Sequence, residues 1–295
     1  MHLILLLTLV PSLEKFCRLF WFQKRSPYKG TIIESFFYIY TMSTTISNQA
    51  ELQKLLHLLQ AEKDTNLSFL NKLTKEEIQL LRLKIVDISQ FTQTDIWSRL
   101  TGVSKYFPNY MNAKVAETVL GALITANMSY YMPEKDAVSI MKYMSNSFLC
   151  NVSDFLIPEK AQKLISHIPI DLLKKITTEL IKQKKYVTAA GFVDVLEMTR
   201  LLELSKVIYK EDDLIHIATY ADNKAYIAKI VEGFDDNRIG KIITYAYSNQ
   251  LHENILNIFV HLSSNEVQRI LKIVSTLSPN IKTKVLEDFE NRIQS

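Results

Sequence analysis

The chain has 295 residues, 47% of them hydrophobic and 22% charged, with only 6 Gly, 7 Pro and 2 Cys. That length supports a sizeable core, and so few Gly and Pro exclude a turn-rich β-sandwich. The net charge of +4 sits mostly in residues 1–41, leaving 30 basic against 29 acidic residues beyond them, a balance that argues against phosphate-backbone binding.

Residues 1–41 differ from everything after them. They hold nine aromatics, an apolar run Leu3–Val10, and five basic residues against two acidic. No Lys or Arg precedes the run and no small-residue cleavage pattern follows it, so a secretory signal fits poorly. Neither apolar run reaches the about 20 residues of a membrane span. An interfacial helix through Phe16, Phe20 and Trp21 is a second reading, and the only route to a membrane partner. The third takes Met42 as the start of the protein and 1–41 as an upstream extension; it is the expectation adopted here.

From Met42 the expectation is an N-terminal helical hairpin over 42–100 and a helical-repeat domain over 101–295. Leu52, Leu55, Leu56 and Leu59 fall at helical spacing. Thr74 and Glu77 have the spacing of a capping box, and Ile78, Leu81, Ile85 and Ile88 form a narrow stripe behind them.

Beyond about residue 100 the pattern repeats. At an offset of 24, Ala137 aligns with Ala161, Ile140 with Leu164, Met141 with Ile165, Met144 with Ile168, Phe148 with Leu172, Val152 with Ile176 and Leu156 with Leu180. The same opening recurs in "DDLIHIATYA", "DNRIGKIITYA" and "SNEVQRILKIV", with a degenerate copy near Gly191-Phe192, at intervals of about 24 to 28 residues. Asp, Ser or Asn before each run suits an N-cap, and Ala189, Ala190 and Gly191 allow close helix approach. The predicted fold is all-α: short helical hairpins stacked as an α-solenoid or compact superhelix.

The segment 132–196, with "FLIPEKAQKLISHIP" as its best piece, resembles the superhelical N-terminal domain of MgtE-type magnesium transporters. It is also similar to the helical repeats of the flagellar rotor switch protein and to stand-alone bacterial proteins of unknown role. The resemblance implies helical-hairpin repeats. It does not imply transport, because no apolar run after Met42 approaches about 20 residues.

No HExxH, GxSxG, P-loop or GxGxxG occurs, so no catalytic residue and no cofactor is assigned. His57, His167, His216, His252 and His261 read as surface or capping residues. The acids Asp212 and Asp213, and Asp235 and Asp236, stand at helix starts, where carboxylates suit the dipole; they are also the candidates for a divalent-cation site. Lys182, Lys184 and Lys185 end a helix. Tyr106, Phe107, Tyr110, Tyr130 and Tyr131 either cover the first repeat or form a contact surface. The function expected is a cytoplasmic, non-enzymatic scaffold binding a protein partner, rather than nucleic acid, through its repeat surface. The alternative is a regulatory sensor binding a divalent cation at the acidic loops.

Overall fold

The computed structural model describes residues 48–59, 67–91, 94–259 and 261–294. Residues 1–41 and Met42, on which the reading of the N-terminus rests, lie outside them. Among the described residues every regular element is helical and none is a strand. The elements are α1 (48–58), a 3₁₀ turn Ser68–Lys72, α2 Lys75–Phe91, α3 Thr94–Ser104, α4 Asn109–Val115, a π-helical turn Ala116–Leu120 and α5 Gly121–Ser129. Then come α6 Glu134–Met141, α7 Asn146–Phe155, α8 Pro158–His167, α9 Ile170–Lys182, α10 Tyr186–Val195 and α11 Met198–Ser205. The chain ends with α12 Glu211–Tyr220, α13 Lys224–Glu232, α14 Asp236–Ser248, α15 His252–Phe259, α16 Ser264–Ser275 and α17 Pro279–Gln294.

Local chemistry sets the helix starts. Thr74 and Glu77 form the expected capping box, Thr74 N–H donating to Glu77 Oε2 at 2.7 Å and Glu77 N–H to Thr74 Oγ1 at 3.3 Å. Ser145, Asn223, Asp235 and Ser263 each accept from a backbone N–H in the first turn of the helix they cap. Pro158 occupies the first turn of α8, where its fixed φ fits and no N–H is missed, while Pro133 and Pro169 stand just before α6 and α9.

Two-helix units begin at Glu134, Pro158, Tyr186, Glu211, Asp236 and Ser264, the interval expected from the repeated openings. From α3 to α14, each helix packs against the one two places further along. Of the aligned positions Ala137, Ile140, Val152, Ala161, Leu164, Ile165, Ile168, Ile176 and Leu180 are buried, while Met141, Met144, Phe148, Leu156 and Leu172 are half-buried. One continuous core runs from Ala137 to Val285. At Gly191 a Cβ would stand 2.5 Å from Pro158 Cγ, so α10 and α8 approach closely there.

Arginines tie together helices three places apart in the chain. Arg200 in α11 donates to the carbonyls of Ile165, Ser166 and Ile168 at the end of α8. Arg238 in α14 does the same for Ser205 and Ile208 at the end of α11. Arg269 in α16 serves Glu232 and Phe234 at the end of α13. Each guanidinium satisfies carbonyls that a helix end leaves unpaired.

The hairpin before the stack has its own small core of Leu55, Leu70 and Ile78, with Leu52, Leu56 and Ile85 against it. Leu59 and Leu81, expected on the apolar stripes, are exposed instead. Leu59 stands where α1 ends, and in α2 the seam is only wide enough for Ile78 and Ile85. The side chain of Ile88 lies outside the described residues.

Candidate functional site: a methionine-lined cleft at the start of the stack

A helical stack must cover the apolar face of its first layer. Among the described residues the cover is incomplete. Pro108 starts α4, and Asn112 Nδ2 donates to Ser104 O at 2.8 Å and Phe107 O at 3.1 Å, fixing the loop between α3 and α4. That loop leaves Tyr106 87% exposed, with Phe107 and Tyr110 also exposed. Leu100, Val103, Met111 and Val115 are exposed on the same elements, and Val119 in the π-helical turn is 74% exposed. Gly121, at φ +77°, turns the chain from that element into α5.

Behind this rim lies an apolar cleft of about 360 Å³. Met111, Met128, Met132, Met141 and Met144 all line it, five of the eight methionines in the chain. Its floor reaches Leu164, Ile168 and Phe192 in the main core. Methionine is unbranched and polarizable, so a wall of methionines moulds to more than one apolar shape. The chain from 99 to 145 carries Arg99, Lys105, Lys114, Lys135 and Lys142 against Glu117, Glu134 and Asp136. Glu117 is itself engaged, accepting from Ser145 N–H at 2.5 Å.

The five aromatics expected to act together divide into two groups. Phe107 lines the cleft, and Tyr106 and Tyr110 are exposed next to it in the chain. Tyr130 packs on the main core, and its hydroxyl accepts from Ile157 N–H at 2.7 Å. Burial pushes that phenol up to about 12. Tyr131 is half-buried beside it. The methionines offer one sequence signal, five of eight falling between 111 and 144, of which the repeat pattern takes in only Met141 and Met144.

The acidic candidates have partners within the fold. Asp212 pairs with His216 at 3.2 Å, and Tyr186 stacks on that imidazole. Asp213 is buried and accepts from Tyr186 Oη at 2.7 Å, which, after burial, helps hold that phenol well above its ordinary range. Asp235 caps α14 through Arg238 N–H at 2.8 Å, and Asp236 holds Arg269 at 2.7 Å. Among the described residues, no group of three or more His, Cys, Asp or Glu is placed to hold a metal ion. His167 is exposed and meets Lys163 O at 2.7 Å, and His252 stacks on Tyr247. Cys150 is buried, and burial pushes its thiol up to about 11. Among the described residues no helix is long and apolar enough to cross a membrane.

Fold and cleft define an all-α protein of successive two-helix units with a half-open apolar cleft at one end. No known protein family, curated protein or solved structure matches the chain.

Proposed function

We propose that this protein is a non-enzymatic scaffold that binds a protein partner by holding an amphipathic helix in the methionine-lined cleft. The observation that carries the reading is the concentration of five methionines behind an exposed aromatic rim. Adaptable apolar walls with aromatic anchors are the composition of helix-binding grooves and interface cores. The excess of lysine on the surrounding elements favours a helix whose polar face is acidic. In the same reading the two-helix units stack as an α-solenoid, in the manner of the magnesium-transporter domain the sequence resembles, without that family's transport activity. The solenoid serves as a rigid support for the cleft, in the cytoplasm.

The test compares the tagged wild-type chain with Met111→Glu and Phe107→Glu variants. Each is captured from native cells, with mass spectrometry of what is retained. A stoichiometric protein kept by the wild type and lost by both variants supports the reading. Equal retention by all three chains, or no protein retained by any, removes it.

A further inference from the structure

A second cleft lies under the N-terminal hairpin and shares Ser153, Leu156 and Phe192 with the methionine-lined cleft. The small core of α1 and α2 is separate from the main core. Charge bridges the two. Lys54 Nζ stands 2.5 Å from Asp222 Oδ1 in the loop before α13. Arg82 reaches Glu159 at 3.5 Å in α8 and Asp222 at 4.0 Å. Both cations also face Glu51, at 3.0 Å and 3.6 Å. His57 Nε2 meets Thr188 Oγ1 at 3.4 Å, and Thr188 donates in turn to Asp154 Oδ1 at 2.5 Å.

The joint is loosely fitted. It encloses a cavity of about 320 Å³ with both polar and apolar walls, shared by the hairpin and the stack. Within the hairpin, Glu51 Oε2 and Arg82 Nε are buried and face each other at 3.6 Å without a hydrogen bond. A separable interface is more polar and less tightly filled than a domain core, as this cavity is. On the stack side, Asp154 is already held by Lys185 at 2.5 Å, and Asp194 by the backbone N–H groups of Asp222 and Asn223. Lys224 donates to Ala218 O and Thr219 O, capping α12. Glu159 and Asp222 are left as the carboxylates that the hairpin's cations meet.

We propose that the α1–α2 hairpin is a detachable cover over this acidic cleft. The cleft accepts, in the hairpin's place, a partner helix that presents a lysine and an arginine to Asp222 and Glu159 as Lys54 and Arg82 do. The carboxylates of this site, Asp222 and Glu159, do not line the methionine-lined cleft, and the proposal does not rest on that cleft's occupant.

The experiment uses the full chain, wild type and a Lys54→Glu/Arg82→Glu variant. The probe is a fluorescent peptide of residues 48–91 of this chain. Hydrogen exchange in the variant is expected to be at least about tenfold faster in 48–58 and 75–85, with protection across 158–232 unchanged. Wild type in about 1 M salt should show the same selective release, since screening weakens these pairs without mutation. The peptide should bind the variant and not the wild type. A peptide with both cations changed to Glu should not bind, and adding Glu159→Lys and Asp222→Lys to the variant chain should abolish binding. Undiminished hairpin protection in the variant, loss of protection that spreads into 158–232, or equal binding of the peptide to both chains would each overturn the proposal.

Discussion

Arg269 donates from Nη2 to the carbonyl of Phe234 at 2.7 Å, closing the end of a helix that lies three places earlier in the chain. Its Nη1 reaches Glu232 O at 3.3 Å, and Asp236 and Glu266 hold the guanidinium in place. Removing it leaves helix-end carbonyls and two carboxylates without their partner. Arg269→Met should therefore lower stability by about 1–3 kcal/mol in urea denaturation. Arg269→Lys should recover little, because an ammonium cannot span the fork of acceptors. Full recovery by lysine would show that charge alone matters.

Gly191→Ala tests the contact of α10 with α8. On an open helix the change would stabilise by about 1 kcal/mol. Here the new methyl meets the Pro158 ring. We expect a net loss of about 1–3 kcal/mol, measured by thermal or urea unfolding. Pro158→Ala in the same chain should return part of that loss, a coupling that two distant sites would lack. A stabilised Gly191→Ala would mean that the helices move apart freely.

Lys184 and Gln250 sit in the left-handed region, at φ 57° and 59°. Both follow long helices and close the same turn: Lys185 N–H donates to Leu180 O at 2.9 Å, and Leu251 N–H to Ala246 O at 2.8 Å. An L side chain costs about 1–2 kcal/mol there. Lys184→Gly and Gln250→Gly should each raise the melting temperature, by up to about 1 kcal/mol of stability once glycine's own entropy is offset. A fall in Tm would place the side chains among the stabilising contacts.

These two turns mark a limit of sequence reading. Thr74, Ser145, Asp235, Ser263 and Pro158 announce helix starts because capping is local and each residue type has a short list of roles. The turns at Lys184 and Gln250 lack the glycine that would announce them. The apolar register was legible as far as burial follows spacing, which is why Ala161 and Ile176 fall in the core as Ala137 and Val152 do. Spacing does not say whether a face is closed. Met111 and Met128 have the same periodic signature whether a neighbouring helix covers them or a cleft exposes them. The pairing of Lys54 with Asp222 joins residues 168 apart in sequence, and no local pattern encodes it.

Lys224 predicts an inverted pH response. Burial, with the Lys54 charge adding to it, lowers its ammonium to about 8 from 10.5, against the pull of Asp194 and Asp222. The folded chain then releases this proton before the unfolded chain does. Between about pH 8 and 10 the unfolded state binds more protons, so this group's contribution to stability rises with pH. Above 10 the raised phenol of Tyr130 works in the opposite direction. Comparing urea midpoints of wild type and Lys224→Met at pH 8 and 10 isolates the effect. The wild type should gain on the variant over that interval; parallel curves would sink the assignment.

Tyr106 and Phe107 should matter to binding and hardly to stability. Tyr106→Ser and Phe107→Ser are expected to shift unfolding free energy by no more than about 0.5 kcal/mol, as exposed positions do. The same variants should weaken the fluorescence of a hydrophobic dye bound at the cleft. A large loss of stability would instead make the rim a lid for the core.

The contact between Lys54 and Asp222 has a consequence in time. Contacts between neighbouring units bring together segments close in sequence, and such loops close early and quickly. The hairpin's own partner is made 168 residues later. At a synthesis rate of about 5–20 residues per second, α1 and α2 wait roughly ten to thirty seconds for Asp222 to exist. For that interval a nascent chain carries Lys54 and Arg82 unseated, and any acidic surface near the ribosome meets them before their own cleft does.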